Sequence, residues 1–342
     1  MRKIHIPRKA SKLHIEVYQD SLCEAVSRAM RTCSKSSLAL WKKISYCMSR
    51  KWLLSSDVRD VIKAKENIGV ITDPQLRSEI KGIFNYERFG KGQHMQFSKE
   101  GEEIKWKRNS NGWSKNAYIK LLDINVCPYC NAELIGILAE ERSVNKGTIS
   151  KEISLVDCDH FFSQDKYPYL ALALANLVPC CPLCNERLKL AYEPPYPNFV
   201  HPFEDDFHEL AKFEVKPLKV GAVIGKLQGV DGIDVRVLSR AGSLNKVKGS
   251  ADFWRLCNRY STVYGADIRR LLLKCNQYES KEYLSYILGL SSERALEDVI
   301  ITDFGFDLAP DRINHNRLGK LTIDVMHDSV SRLRARICNK EA

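Results

Sequence analysis

Two Cys-x2-Cys pairs constrain this chain more than any other feature of its sequence. Cys127-Pro-Tyr-Cys130 and Cys181-Pro-Leu-Cys184 stand far apart along the chain. Each pair forms a tight turn that aims two sulfur atoms at one point, and four thiolates complete the closed tetrahedral shell of a structural zinc. We therefore predict a structural Zn²⁺ that joins two distant backbone segments through Cys127, Cys130, Cys181 and Cys184.

The third zinc ligand has rivals. Cys181 preserves the two-residue spacing and is preferred, but Cys180 precedes it directly, and Cys158 is a further alternative. The other members of the twelve cysteines follow no spacing pattern, which is typical of small buried apolar residues. A chain of 342 residues without a secretion signal is expected to hold reduced thiols and metal rather than a disulfide scaffold.

The overall composition is that of an ordinary globular protein, with 44% hydrophobic and 28% charged residues and room for two or three domains. The longest clean apolar run, Tyr169–Ala175, is far shorter than the roughly 20 residues of a membrane-spanning helix. The basic N-terminus lacks the apolar segment of a signal peptide. We therefore expect a cytoplasmic protein.

The positive charge is concentrated at one end of the chain. The net charge is +11, and residues 1–65 alone hold fifteen Lys or Arg against five Asp or Glu, a net charge of +10. A concentrated positive field attracts polyanions. Nucleic acid is the favoured partner, and an acidic protein partner is the alternative.

The pattern along the chain predicts an α+β, mainly helical fold in three regions. Residues 1–119 are expected to be basic and mostly helical, and residues 120–202 to form the metal-bearing module. Residues 203–342 are expected to hold a small sheet, followed by helices. The strands of that sheet are predicted at Phe213–Val223 and Ile233–Leu238, because these stretches are rich in β-branched residues and punctuated by glycine.

Within the central module, short elements are expected around the cysteines. Ala132–Leu138 and Ile153–Cys158 are predicted strands, and Tyr167–Leu174 is a predicted helical turn. Leu177–Cys180 is a further short strand. A helix is predicted to begin near Leu183 and to carry the polar residues that follow the last cysteine.

Polar groups suited to catalysis lie between and beside the cysteine pairs. Asp159 precedes His160, and Asn176 and Asn185 follow. Carboxylate and amide oxygens suit a hard divalent cation. An imidazole with an ordinary pKa near ~6.5 is matched to proton transfer from water at neutral pH. A structural metal beside a catalytic metal indicates phosphodiester hydrolysis.

These residues resemble the HNH, or His-Me finger, endonucleases. The matching stretches are Cys127-Pro-Tyr-Cys-Asn, Asp159-His160-Phe-Phe and Asn176-Leu-Val-Pro-Cys-Cys-Pro-Leu-Cys-Asn185, with Lys189 beyond them. The resemblance covers the central module and not the flanking regions. It implies a ββα-metal core, in which a strand, a loop, a second strand and a helix surround one divalent cation.

The resemblance also implies a role for each matching residue. His160 would be the general base, and Asp159 and Asn185 would bind Mg²⁺ or Mn²⁺. Asn176 would bond to loop backbone and hold His160 in its productive tautomer. Lys189 would contact phosphate. Cleavage would leave a 5′-phosphate and a 3′-hydroxyl.

The sequence departs from the family pattern directly after the histidine. Many relatives have an apolar residue and then Pro-Lys there, whereas this chain has the run 161–164, Phe-Phe-Ser-Gln. Lys166 is the replacement candidate for the phosphate-contacting lysine. His201 is a further candidate beside the site, with a structural role as the alternative, and Glu204 and Asp205 are expected to cap a turn.

Two segments resemble sequences of a narrower branch of the family. They are Lys166-Tyr-Pro-Tyr-Leu-Ala and Asn176-Leu-Val-Pro-Cys-Cys. In that branch, the HNH protein works beside an ATPase in Septu and retron-linked antiphage defence. The expectation is therefore a metal-dependent endonuclease, with DNA favoured over RNA as substrate and an ATPase as partner. The alternative is a zinc-stabilised module that binds nucleic acid or a protein without catalysis.

Overall fold

The computed structural model describes residues 1–97, 104–144, 147–190, 192–217, 232–240, 242–278, 280 and 309–338. These residues form helices and two-stranded antiparallel sheets, so the predicted α+β class is confirmed. None of the helices in this part of the chain combines the length and the apolar character that crossing a bilayer requires.

The N-terminal region is mostly helical, as predicted. Its helices are α1 Arg8–Thr32, α2 Lys35–Ser49, α3 Val58–Ile68, α4 Pro74–Ile83, α5 Tyr86–Gly90 and α6 Lys115–Leu121. Asp73 caps α4 by accepting the backbone N–H of Leu76, and Pro74 occupies the first helical position, where its missing N–H does no harm.

The sequence did not predict the hairpin between α5 and α6. Strand β1 Gln93–Phe97 pairs antiparallel with β2 Ile104–Arg108, with Met95 opposite Trp106. Trp106 therefore lies in a strand, within a region expected to be mostly helical. Ile104-Lys105-Trp106-Lys107 does alternate apolar and charged residues, but the pattern covers only four positions.

Both strands predicted ahead of Asp159 need correction. Strand β3 Ile137–Val144 pairs with β4 Gly147–Ser154, while β5 Asp157–His160 pairs with β6 Leu177–Cys180. The predicted strand Ile153–Cys158 is therefore two strands with different partners. Most of the predicted strand Ala132–Leu138 lies outside any strand. The chain there runs back beside the first cysteine pair, and Leu134 forms an isolated antiparallel β-bridge with Val126. Residue composition alone does not reveal a change of partner.

The rest of the central module follows the sequence prediction more closely. The strand at Leu177–Cys180 has the predicted bounds, and Tyr167–Leu174 contains the 3₁₀ turn Pro168–Leu170. The helix that begins at Leu183 is a π-helix and ends at Lys189. It stops before the prolines at 194 and 195, because Leu190 adopts a positive φ of 50°.

The C-terminal region contains the predicted sheet and helices. Its elements are α7 Phe207–Leu210, β7 Ala211–Pro217, β8 Ile233–Ser239, α8 Leu244–Phe253, α9 Leu256–Thr262, α10 Gly265–Tyr278 and α11 Gly319–Cys338. Strands β7 and β8 pair antiparallel, and residues 218–223 of the predicted first strand lie outside the described residues. Helix α11 packs against β7, where the Asp324 carboxylate accepts the backbone N–H of Phe213 at 2.7 Å.

The core extends across all three predicted regions. Buried apolar side chains form one cluster that runs from Met1 to Met326. The N-terminal segment, residues 1–7, contributes directly, because the backbone N–H of Ile4 donates to the carbonyl of Pro202. The central module is thus enclosed by its flanking regions, although its predicted boundaries at residues 120 and 202 stay a prediction.

The N-terminal helices hold the loop between β5 and β6. His14 of α1 bonds to the Leu172 carbonyl at 2.7 Å, and Tyr118 of α6 donates to the Leu174 carbonyl at 3.0 Å. The carbonyl of Ser55 accepts the backbone N–H of Ala175 at 2.9 Å. Buried backbone groups need such partners, so these contacts determine the path of the loop.

The His14 imidazole is held in one neutral tautomer. The indole N–H of Trp113 donates to His14 Nδ1 at 3.0 Å, so this nitrogen carries no proton. The Leu172 carbonyl can only accept, so Nε2 carries the proton and donates. Burial lowers the pKa of His14 to about 4.

We expect His14 to make stability fall as the pH drops. Its folded pKa of about 4 lies below the ordinary value of 6.5, so the unfolded chain binds the proton more readily. The stabilisation is complete above pH ~6.5 and is lost as the pH falls towards ~4, and about 2 kcal/mol should disappear between pH 7 and 5.

Urea unfolding at both pH values measures this loss, and the comparison is made with His14→Gln. The variant should be less stable at pH 7 and should lose less of its unfolding free energy on acidification. An equal pH-dependent loss in the two proteins would show that His14 does not contribute to it.

Candidate functional site

The four cysteines of the two pairs form a compact buried cluster. All four sulfur atoms lie within 4.8 Å of one another, and Cys130 Sγ is 4.0 Å from Cys181 Sγ. A tetrahedral zinc with bonds of ~2.3 Å separates its sulfur ligands by about 3.8 Å. The cluster therefore fits zinc, and it joins the turn before residue 131 to the start of the π-helix.

The cluster resolves the choice of the third ligand in favour of Cys181. Cys180 and Cys158 are both buried but lie outside the four-sulfur group. They pair instead within the β5–β6 hairpin, where Cys158 is opposite Pro179 and Cys180 is opposite Asp157. The predicted two-residue spacing thus identifies the cluster correctly.

Two residues of α9 contact the cysteine cluster and the turn that carries it. Arg259 Nη1 lies 3.5 Å from Cys184 Sγ, and Tyr260 donates to the Cys130 carbonyl at 2.6 Å. A zinc with four thiolates carries a net charge of −2, which a buried guanidinium offsets. Burial raises the pKa of Cys127, whereas the hydrogen bond from Cys127 lowers that of Cys130.

We predict one zinc per chain, lost in Cys181→Ser and retained in Cys180→Ser. A serine hydroxyl does not replace a thiolate ligand, whereas Cys180 points away from the cluster. Elemental analysis of the purified proteins measures the ratio of zinc to chain. Full zinc in Cys181→Ser together with loss in Cys180→Ser would transfer the ligand role to Cys180.

The candidate site residues lie on β5, in the loop that follows it and on the π-helix. In β5, alternate side chains point to opposite faces, and Asp157 and Asp159 point to the π-helix. Asn185 Nδ2 donates to Asp157 Oδ2 at 3.2 Å, and Lys189 Nζ donates to Asp159 Oδ1 at 2.7 Å. Two contacts, one turn apart, thus dock the helix on the strand.

Asp159 has a partner on each carboxylate oxygen. Lys189 occupies Oδ1, and the hydroxyl of Tyr129 donates to Oδ2 at 2.7 Å. The carboxylate and the ammonium are each about 3% exposed. Burial raises the pKa of Tyr129 well above its ordinary value, so its hydroxyl remains a donor.

His160 is a neutral imidazole with a defined tautomer. Its Nε2 lies 3.1 Å from the Ala171 carbonyl, which can only accept, so Nε2 carries the proton. Nδ1 is then left with a free lone pair. Burial lowers the pKa of His160 to about 4, and the ring packs edge-on against Tyr86. The imidazole is therefore unprotonated at neutral pH, but its pKa lies below the value near ~6.5 that the sequence prediction assumed.

Asn176 fastens the loop rather than the imidazole. Its Oδ1 accepts the Phe162 N–H at 2.7 Å, and its Nδ2 donates to the carbonyls of Phe162 and Leu170 at 3.2 Å. The predicted bonds to loop backbone are present. The group that fixes the tautomer of His160 is the carbonyl of Ala171, the residue after Leu170.

A cleft of about 300 Å³ brings the predicted groups together. It is lined by Cys158, Asp159, His160, Ser163, Gln164, Asp165, Asn185, Lys189 and Leu190. The side chains predicted from sequence to bind the divalent cation and to act as base thus share one opening. Asn176 lies behind it, in the loop.

The oxygen donors of the site suit a divalent cation, but the positive charge of Lys189 opposes its binding. Asn185 donates from Nδ2 to Asp157, so its Oδ1 points in a different direction and can accept. Each oxygen of Asp159 also keeps a second lone pair. Oxygen donors of this kind hold Mg²⁺ or Mn²⁺. The ammonium of Lys189 already neutralises Asp159, so an entering cation would share that carboxylate against repulsion.

Two predicted phosphate contacts are engaged elsewhere. Lys189 is buried, and its ammonium bonds to Asp159 and to the His160 carbonyl, so the predicted surface contact with phosphate is corrected to an internal ion pair. Lys166 forms a salt bridge with Glu193 at 3.0 Å but remains half exposed, so its predicted role is unaffected.

His201 proves to be a structural residue. Its ring packs 4.1 Å from that of Phe161, its Nδ1 accepts the Phe203 N–H, and burial lowers its pKa to about 3. The backbone N–H groups of Glu204 and Asp205 both donate to the His201 carbonyl, as expected of a turn.

Three contributors to the site escaped the sequence prediction. They are Tyr129, Asp157 and the Ala171 carbonyl. Asp157 had a signal, since its spacing of two residues from Asp159 in a strand puts both carboxylates on one face. A tyrosine within a zinc-binding turn and a backbone carbonyl carry no such signal, because only the folded chain brings them to the carboxylate and the imidazole.

Comparisons with protein-family models, with curated proteins and with solved structures find no match for this chain. The geometry of the site and the sequence motifs therefore carry the functional interpretation.

We expect Asp159 and Lys189 to be strongly coupled in stability. Asp159→Asn or Lys189→Met alone leaves one buried charge unpaired, which should cost about 3–5 kcal/mol. The double variant removes both charges and should be more stable than the sum of the single effects predicts, with a coupling of about 1–3 kcal/mol. Denaturant unfolding of the four zinc-loaded proteins measures this coupling, and additive effects would contradict it.

Proposed function

We propose that this chain is a metal-dependent endonuclease of the HNH type, which hydrolyses phosphodiester bonds in nucleic acid. The observation that carries the proposal is the His160 imidazole, which is neutral with an unprotonated Nδ1 and lines the same cleft as Asp159 and Asn185. A purely structural module requires no histidine in this state next to a carboxylate and an amide.

The chain's own groups can perform the proton chemistry. His160 accepts a proton from the attacking water at Nδ1, and the Ala171 carbonyl stabilises the imidazolium that results. Asp159 and Asn185 would hold the Mg²⁺ or Mn²⁺. When bound, this cation supplies stabilisation of the negative charge that develops on the phosphate and the leaving oxygen.

The surface charge supports nucleic acid as the substrate. On α2 and the turn after it, four exposed cations lie around Tyr46, which is 45% exposed. These cations are Lys42, Lys43, Arg50 and Lys51, and no salt bridge of the described residues includes them. The guanidinium of Arg50 lies 5.5 Å from the centre of the Tyr46 ring. Cations beside an exposed aromatic ring are typical of surfaces that bind phosphate backbones and stack bases.

This chemistry does not require a 2′-hydroxyl, so either backbone can serve, and DNA remains the favoured substrate. The proposal also keeps an ATPase partner and a role in antiphage defence, both of which rest on the resemblance of the segments that begin at Lys166 and Asn176. One observation favours the non-catalytic alternative. The Lys189 ammonium neutralises Asp159 in a buried ion pair, as expected of a contact that serves only stability.

His160→Ala distinguishes the two functions. With Mg²⁺ or Mn²⁺ present, we expect cleavage of labelled DNA or RNA to fall at least ~100-fold, because a general base contributes roughly 10²–10⁴ in rate. Zinc content and nucleic-acid affinity should stay unchanged. The matched control is His5→Ala, which removes an exposed imidazole outside the cleft.

Two outcomes would count against catalysis by this site. In the first, the wild-type protein, tested alone and with its co-expressed partner, binds nucleic acid but cuts neither DNA nor RNA. In the second, His160→Ala cuts as fast as the His5→Ala control, which would assign the activity to another residue or to a contaminant.

A further inference from the structure

The first zinc-binding turn makes a direct contact with the proposed catalytic carboxylate. Tyr129 lies between Cys127 and Cys130, and its hydroxyl donates to Asp159 Oδ2 at 2.7 Å. Both side chains are about 3% exposed. The contact joins residues thirty positions apart in sequence, and no spacing rule for zinc or for the catalytic residues requires it.

The position of Tyr129 is determined from two directions. Its backbone belongs to the turn that the sulfur cluster closes, and its ring stacks on Trp254 of the segment after α8, with centres 4.2 Å apart and planes 17° apart. A buried, stacked ring has little freedom to rotate. The hydroxyl is therefore a fixed donor, and it orients the Asp159 carboxylate.

The orientation decides which oxygen is available to the helix and the cleft. Since Tyr129 engages Oδ2, Oδ1 is the oxygen that reaches Lys189 on the π-helix. Groups that hydrogen-bond to a metal-binding carboxylate fix its geometry, and their loss typically weakens metal binding about 10–100-fold.

We propose that Tyr129 is a positioning residue that couples the structural zinc turn to the cation-binding carboxylate Asp159. The zinc cluster fixes the turn that carries Tyr129, and the Tyr129 hydroxyl fixes the orientation of the Asp159 carboxylate. The inference rests on the proposed function, because it takes Asp159 as the ligand of the divalent cation.

Tyr129→Phe removes the hydroxyl and preserves the stacked ring. The matched control is Tyr260→Phe, which removes a buried hydroxyl of α9 that donates to the Cys130 carbonyl of the same turn. Mn²⁺ affinity is measured on the zinc-loaded proteins by electron paramagnetic resonance or calorimetry without nucleic acid. Zinc content and the Mn²⁺ concentration for half-maximal cleavage are measured alongside.

We expect Tyr129→Phe to keep one zinc per chain and to weaken Mn²⁺ binding about 10–100-fold, with cleavage restored at high Mn²⁺. Tyr260→Phe should bind Mn²⁺ like the wild type. In an Asp159→Asn background, Tyr129→Phe should change nothing further, since the hydroxyl acts through that carboxylate.

Unchanged Mn²⁺ affinity in Tyr129→Phe, or an equal loss in Tyr260→Phe, would overturn the proposal. If Tyr129→Phe loses its zinc, the hydroxyl serves the turn and not the carboxylate, and the proposal fails as well. If wild-type protein binds no Mn²⁺, Asp159 is not a cation ligand and the proposal also fails. Mn²⁺ binding with the expected Tyr129 effect but without cleavage would overturn only the nuclease function.

Discussion

The four thiols of Cys127, Cys130, Cys181 and Cys184 hold together the parts of the molecule on which the site depends. One pair lies in the turn that carries Tyr129, and the other begins the π-helix that carries Asn185 and Lys189. Without a cation, four buried sulfur atoms at this distance have no strong mutual attraction, and a thiolate cluster is repulsive. A bound zinc would convert the repulsion into a cross-link. That cross-link would join the turn to the start of the helix, which Asn185 and Lys189 dock against β5.

The imidazole depends on a different part of the chain. His160 obtains its tautomer from the Ala171 carbonyl, in a loop that Asn176 fastens from within and His14 fastens from α1. The N-terminal helices therefore serve the site as well as carrying most of the positive charge. Two histidines, His14 and His160, are both kept neutral by burial, and both donate from Nε2 to carbonyls of adjacent loop residues.

Buried polar contacts of Asp159 connect the first cysteine turn, β5 and the π-helix. Asp159 accepts hydrogen bonds from the ammonium of Lys189 and the hydroxyl of Tyr129, so both carboxylate oxygens have a partner. The ion pair that stabilises the fold would compete with a divalent cation for Asp159. Stability and the proposed chemistry would then depend on the same carboxylate.

The sequence by itself determined the cysteine set, the α+β class, the strand at Leu177–Cys180, and the group of polar residues that line one cleft. Each of these follows from local spacing or composition, such as the two-residue spacing of the thiols. Only the tertiary structure decided that Ile153–Cys158 divides between two sheets, that Lys189 pairs internally, and that Tyr129 and the Ala171 carbonyl orient Asp159 and His160. These outcomes depend on contacts between residues distant in sequence, and local pattern contains no information about which partner a strand, a lysine or a buried hydroxyl will meet.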